Sequence, residues 1–109
     1  MSFQSRDISV NTQGLVTRVR GLIDRVITSL TGSSQQVVGA TILRKRLIFK
    51  NGANPVAINL LGGTAAIGGA GCITMTAYEG LALIGDDCPD GVVTVIGTAA
   101  NYFSCLEGR

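Results

Sequence analysis

The spacing of apolar residues changes partway along the chain. Between Leu15 and Leu30 they fall at Leu15, Val16, Val19, Leu22, Ile23, Val26, Ile27 and Leu30. This is the recurrence of one helical face, and it leaves Arg18, Arg20, Asp24 and Arg25 mostly on the polar side. It predicts one amphipathic helix near 12–31, capped at its start by Asn11 or Thr12 and closed by Gly32. Two features oppose it. Gly14 and Gly21 each disfavour a helix by about 1 kcal/mol, and the segment is rich in Val, Ile and Thr, which suit strands. Two short strands broken at Gly21 are the alternative. Residues 1–11 are polar apart from Phe3, Ile8 and Val10 and read as an arm. "TGSSQQ" at 31–36 reads as a linker between this segment and a body.

Beyond the linker the period shortens. "VVGATI", "LRKRLIFKN", "PVAINLL", "CITM", "LALIG", "VVTVIG" and "NYFSCLEG" are short apolar runs, most of them closed by Gly, Asn, Asp or Pro. That rhythm predicts antiparallel β structure, a sandwich or a barrel. In the stretch 42–50, alternation puts Leu43, Lys45, Leu47 and Phe49 on one face and Ile42, Arg44, Arg46, Ile48 and Lys50 on the other. The second face is half basic and half apolar, so it is not expected to be free in water along its whole length. "NGAN" supplies residues that tolerate positive φ and predicts a tight hairpin turn, with Pro55 starting the return strand.

Composition narrows the class. A chain of 109 residues makes one small domain, with a thin core. Charged residues are only 15%, below the usual ~25% for a soluble domain, so part of the surface is expected to be covered by a partner. Charge is also segregated. Residues 1–50 hold eight of the nine cations and a net of +6, whereas residues 51–109 hold five acids against Arg109, a net of −4. Such asymmetry points to a partner of opposite sign or to contact between copies.

Little catalytic chemistry is available. The chain has no His, which removes Ser/His/Asp and Cys/His nucleophiles and most transition-metal sites. Cys72, Cys88 and Cys105 are odd in number and widely spaced, and they read as free thiols rather than a disulfide framework. "GDDCPDG" at 85–91 groups Asp86, Asp87 and Asp90 without the alternating ligands or distal Glu of a calcium loop, and reads as an Asx-rich turn. "GGTAAIGGAG" at 62–71 lacks the Lys or the helix that a phosphate loop needs, and reads as a small-residue loop lying close to another backbone. Nothing places Glu79 and Glu107 together or desolvates either one. No metal, cofactor or enzymatic activity is expected. No apolar run approaches the ~20 residues of a membrane helix, and the N-terminus lacks a signal-peptide core, which reads as synthesis in a cytoplasm.

The run "RKRLIFKNGANPVAINLLGGTAA" resembles a family of small structural proteins of tailed bacteriophages. The resemblance lies in the Arg-rich strand Arg44–Phe49, the turn Asn51–Val56, the Gly/Ala-rich segment Gly62–Gly71, the step Tyr78–Leu81 and the final strand Tyr102–Leu106, within residues 37–107. It implies a β-sandwich or jelly-roll body in a virion protein. The implied role is a capsid cement (decoration) protein bridging copies of the major capsid protein, made in the host cytoplasm and placed on the capsid surface as a homo-oligomer, a dimer or trimer. A tail or baseplate accessory protein is the competing reading, and a small nucleic-acid-binding module, suggested by the cations at 44–46, is a third. The expected division is a docking segment at 1–34 and a β body at 35–109 that folds without it. The expected capsid-binding residues are Arg18, Arg20, Arg25, Arg44, Lys45 and Arg46, with the acidic half facing solvent or a neighbouring copy.

Overall fold

The computed structural model describes residues 21–109. Eight strands follow in order: β1 (Leu22–Asp24), β2 (Gln35–Val38), β3 (Arg46–Asn51), β4 (Val56–Asn59), β5 (Cys72–Met75), β6 (Gly80–Ile84), β7 (Val93–Gly97) and β8 (Phe103–Gly108). A 3-10 turn, Gly85–Asp87, follows β6. The strands form two four-stranded antiparallel sheets. Sheet A has the order β1-β8-β3-β6 and sheet B the order β2-β7-β4-β5. Every connection except β4–β5 passes from one sheet to the other, which makes the fold a jelly roll. The mainly β, sandwich-type architecture expected from the sequence is the one observed.

The core lies between the sheets and follows the period of two. β3 sends Leu47, Phe49 and Asn51 inward, and β8 sends Phe103, Cys105 and Glu107. Phe49 and Phe103 stack with ring centroids 5.7 Å apart. Val56, Ile58, Met75, Val93 and Val95 of sheet B close over them. Each fully buried side chain of this size contributes about 1.5–3 kcal/mol of hydrophobic stabilisation.

Within the described part of the expected helix, residues 21–31 are not helical: they form β1, a bridge at Ile27 and a bend at Thr28 and Ser29. β1 pairs with β8, Leu22 opposite Gly108 and Asp24 opposite Leu106. The chain then runs on beside β8, with Ile27 exchanging backbone bonds with Phe103 and Leu30 bonding Asn101 and Ala100. Leu30 is 2% exposed, inside the core. Pairing to β8 outweighs the i, i+4 pattern, and the Val, Ile and Thr content and Gly21 favour that outcome. The remainder of the predicted helix and the arm lie outside the described residues. The expected boundary at residue 34 thus runs through the jelly roll: removing 1–34 would delete β1 and take Leu30 out of the core. The expected linker is a turn joining the sheets, and its Gln35 and Gln36 already belong to β2.

The predicted hairpin at "NGANP" is corrected too. β3 pairs with β6 and β8, and β4 with β5 and β7, so residues 52–55 form an arch between sheets. Asn51, 1% exposed, holds the arch. Its Nδ2 donates to the carbonyls of Asn54 (2.9 Å) and Thr76 (2.8 Å), and its Oδ1 accepts from the Gly52 amide at 2.8 Å. A Cβ on Gly52 would sit 2.8 Å from the Tyr102 carbonyl oxygen, so only glycine fits there. The turn residues were recognisable; which strands they join depends on long-range pairing.

The Gly/Ala segment behaves as expected of a close-packed loop. Residues 60–71 fold back over the outside of sheet B. Asn59 Oδ1 accepts from the amides of Leu61 and Gly63, Thr94 Oγ1 donates to the Gly63 carbonyl at 2.7 Å, and the Ala65 amide donates to Ser34 Oγ at 2.9 Å. Asn59 is consequently buried although it alternates with the inward Ile58, and Ala57 on the same face is buried as well.

Candidate docking surface

The six cations expected to bind a capsid do not share one surface. Arg18 and Arg20 lie outside the described residues. Arg44 is inside the protein: its side chain has 0% exposure. Its Nε donates to Glu107 Oε2 at 3.1 Å, and its Nη1 donates to the carbonyls of Pro89 (2.7 Å) and Gly91 (2.9 Å). Its Nη2 donates to the Gly39 carbonyl. Arg44 thus ties the β2–β3 connection, the loop after β6 and the end of β8 together. Four bonds explain how a guanidinium is tolerated there, because a buried charge must be paired and hydrogen-bonded.

Arg25 serves the same carboxylate, its Nε donating to Glu107 Oε1 at 3.0 Å, and Arg109 Nε lies 3.5 Å from Oε2. Glu107 itself is 1% exposed. Burial by itself pushes its pKa up. The hydrogen bonds from Arg25 and Arg44, with the charges of Arg44 and Arg109, outweigh that and hold it below its ordinary value. Two expectations are corrected here. Glu107 is desolvated, and the acidic half does not wholly face solvent. The signal was the phase of β8, where Glu107 continues the inward series Phe103, Cys105.

Lys45 and Arg46 are placed differently. Lys45 precedes β3, its amide bonded to the Gly108 carbonyl at 2.8 Å. Arg46 points outward from sheet A, and its Nε is buried without a hydrogen-bond partner among the described residues. Register defines the face around it. One row across the sheet holds Leu22, Gly108, Arg46 and Ile84, the next Asp24, Leu106, Ile48 and Ala82, and a third Ser104, Lys50 and Gly80. Leu22 is 58% exposed, Ile84 47% and Leu106 37%. The mixed basic and apolar face expected from alternation is therefore present at Arg46, Ile48 and Lys50. At Ile42 and Arg44 the alternation fails, because β3 begins only at Arg46.

At the end of the sandwich where β8 stops, this face meets a groove of about 520 Å³ lined by Leu22, Ile23, Ile42, Leu43, Lys45 and Arg109. Ile42 is 88% exposed and Leu43 58%. Elsewhere the chemistry is sparse. The three cysteines form no disulfide. Burial pushes the Cys105 thiol up to about 12 and raises that of Cys88. Among the described residues no cluster of acids and thiols could hold a metal ion, and no helix is long and apolar enough to cross a membrane.

No family model matches the chain, and no curated protein matches it in sequence. Among solved structures it is similar to a chain from Bacillus endospore appendages, described as a family of disulfide-linked pili. The identity is 15%, the match covers 90% of this chain and 95% of that one, and the TM-score is 0.46. This degree of likeness says nothing of function.

Proposed function

We propose that the protein is a non-catalytic structural subunit of a tailed-bacteriophage particle, a cement protein that docks on the major capsid protein through the outer face of sheet A. The carrying observation is the difference between the two outer faces. The 60–71 loop lies over part of the outer face of sheet B, at Asn59 and Thr94, whereas the described residues place no such loop over Leu22, Ile48, Ala82, Ile84 and Leu106 of sheet A. A patch of this kind, carrying Arg46 and Lys50, has the make-up of an interaction surface. The resemblance of Arg44–Leu106 to phage structural proteins supplies the kind of partner.

Arg44 has no part in this docking, since it holds the core. Exposed ion pairs contribute only ~0–1 kcal/mol each, so attachment rests on the apolar face and on several copies held together. The test is mass spectrometry of purified particles with band densitometry. Hundreds of copies per head are expected. Tens or fewer would make it a tail component, and absence from particles would end the reading. Arg46→Glu with Lys50→Glu is expected to weaken decoration and make it more salt-sensitive while leaving the melting temperature near that of the wild type.

A further inference from the structure

We propose that the groove between β1 and the 42–43 turn receives the N-terminal segment of a second copy, residues 7–10, so that copies are joined by exchanged arms. This goes beyond the capsid reading and requires only two molecules of the chain. Three observations carry it.

The first is the position of Gly21. Leu22 pairs with Gly108, the last residue of β8, and the Arg109 amide donates to the Gly21 carbonyl at 3.2 Å. Gly21 is thus held at the end of the β1–β8 ladder, and a Cβ built on it would meet nothing within 4 Å. Twenty residues precede this point, at the rim of the groove itself.

The second is length. The 13 residues from Ile8 to Gly21 span up to about 43–47 Å when extended. That reach suits a neighbour better than a groove whose own wall, Leu22, is adjacent to the tether. The third is chemistry. The groove has apolar walls, Leu22, Ile23, Ile42 and Leu43, with Lys45 and Arg109 at its edge. "DISV" at 7–10 carries an acid followed by apolar residues at alternate positions, which share one side of an extended segment.

The experiment uses the full chain. A tagged copy carrying Ile42→p-benzoylphenylalanine is co-expressed with an untagged copy of natural sequence, and the mixture is irradiated. The expected product is an adduct between position 42 of the tagged chain and residues 1–20 of the untagged one. Ile8→Asp with Val10→Asp in the untagged copy should reduce its yield roughly tenfold, a loss of about 1.4 kcal/mol. An adduct confined to the tagged chain, an adduct outside residues 1–20, or no adduct overturns the proposal. Because the readout does not involve heads, its failure is separate from failure of the capsid reading.

Discussion

Arg44→Met separates a structural cation from a docking one. The substitution keeps an unbranched apolar stem of similar reach and removes four hydrogen bonds at once, to Glu107, Pro89, Gly91 and Gly39. Glu107 would keep Arg25 and Arg109, but both are more than one third exposed, at 36% and 37%, and interact more weakly than the fully buried partner. Removing one partner of a buried pair typically costs about 3–5 kcal/mol. Against a total stability of about 5–15 kcal/mol this is a large fraction. For a domain near this size, 1 kcal/mol lowers Tm by about 4–8 °C, so the expected fall is about 12–40 °C. Arg46→Met on the outer face is the control, expected within about 0.5 kcal/mol of the wild type. Circular dichroism melts of the two variants, with Glu107→Leu in the Arg44→Met background, form the assay. The double variant should recover part of the loss, because no uncompensated carboxylate stays buried. If Arg44→Met melts together with Arg46→Met, the cluster does not hold the sandwich closed and the reasoning fails.

Glu107 also predicts a pH response. Its folded pKa is depressed, so its stabilisation is present above the ordinary carboxylate range and is lost as pH falls through the folded value. Melting temperatures of wild type and Glu107→Gln should therefore converge on acidification, and a gap that widens below pH 4 would contradict this. Gly97→Ala should destabilise by about 1–3 kcal/mol through overpacking, because its Cβ would sit 2.6 Å from Val56 Cγ1 and 3.0 Å from Leu30 Cδ1; a denaturant midpoint equal to that of the wild type would show that the core yields there.

The strands were legible where alternation and turn residues agreed. "CITM", "LALI" and "VVTVIG" lie at β5, β6 and β7, and the final run lies at β8. Legibility ended where a segment's state depends on a distant partner. Residues 22–30 carry a helix-like spacing because Ile23, Ile27 and Leu30 all turn toward the interior, yet they do so along a non-helical path set by β8, more than 70 positions away. The arch at 52–55 has the composition of a hairpin, and only the pairing of β3 with β8 and of β4 with β7 sends its two strands to different sheets.

The same distinction governs the charges. Read along the chain, Arg44, Lys45 and Arg46 are one basic cluster. In the fold they serve three purposes: Arg44 satisfies a buried carboxylate and three carbonyls, Lys45 lines a groove, and Arg46 lies among apolar residues on an outer face. The segregation of cations into the first half has a partial internal cause, since Arg25 and Arg44 both neutralise Glu107 near the C-terminus. Pairing across the sandwich thus removes two cations and one acid from the apparent surface dipole. Among the described residues, the outer face of sheet A is more apolar than the sequence charge implies: Arg46 and Lys50 set among Leu22, Ile48, Ala82, Ile84 and Leu106. An interface built that way draws its affinity from burying the apolar rows and uses its two cations for orientation. Its binding should accordingly weaken only modestly with added salt, unlike that of a nucleic-acid-binding module neutralising many phosphates.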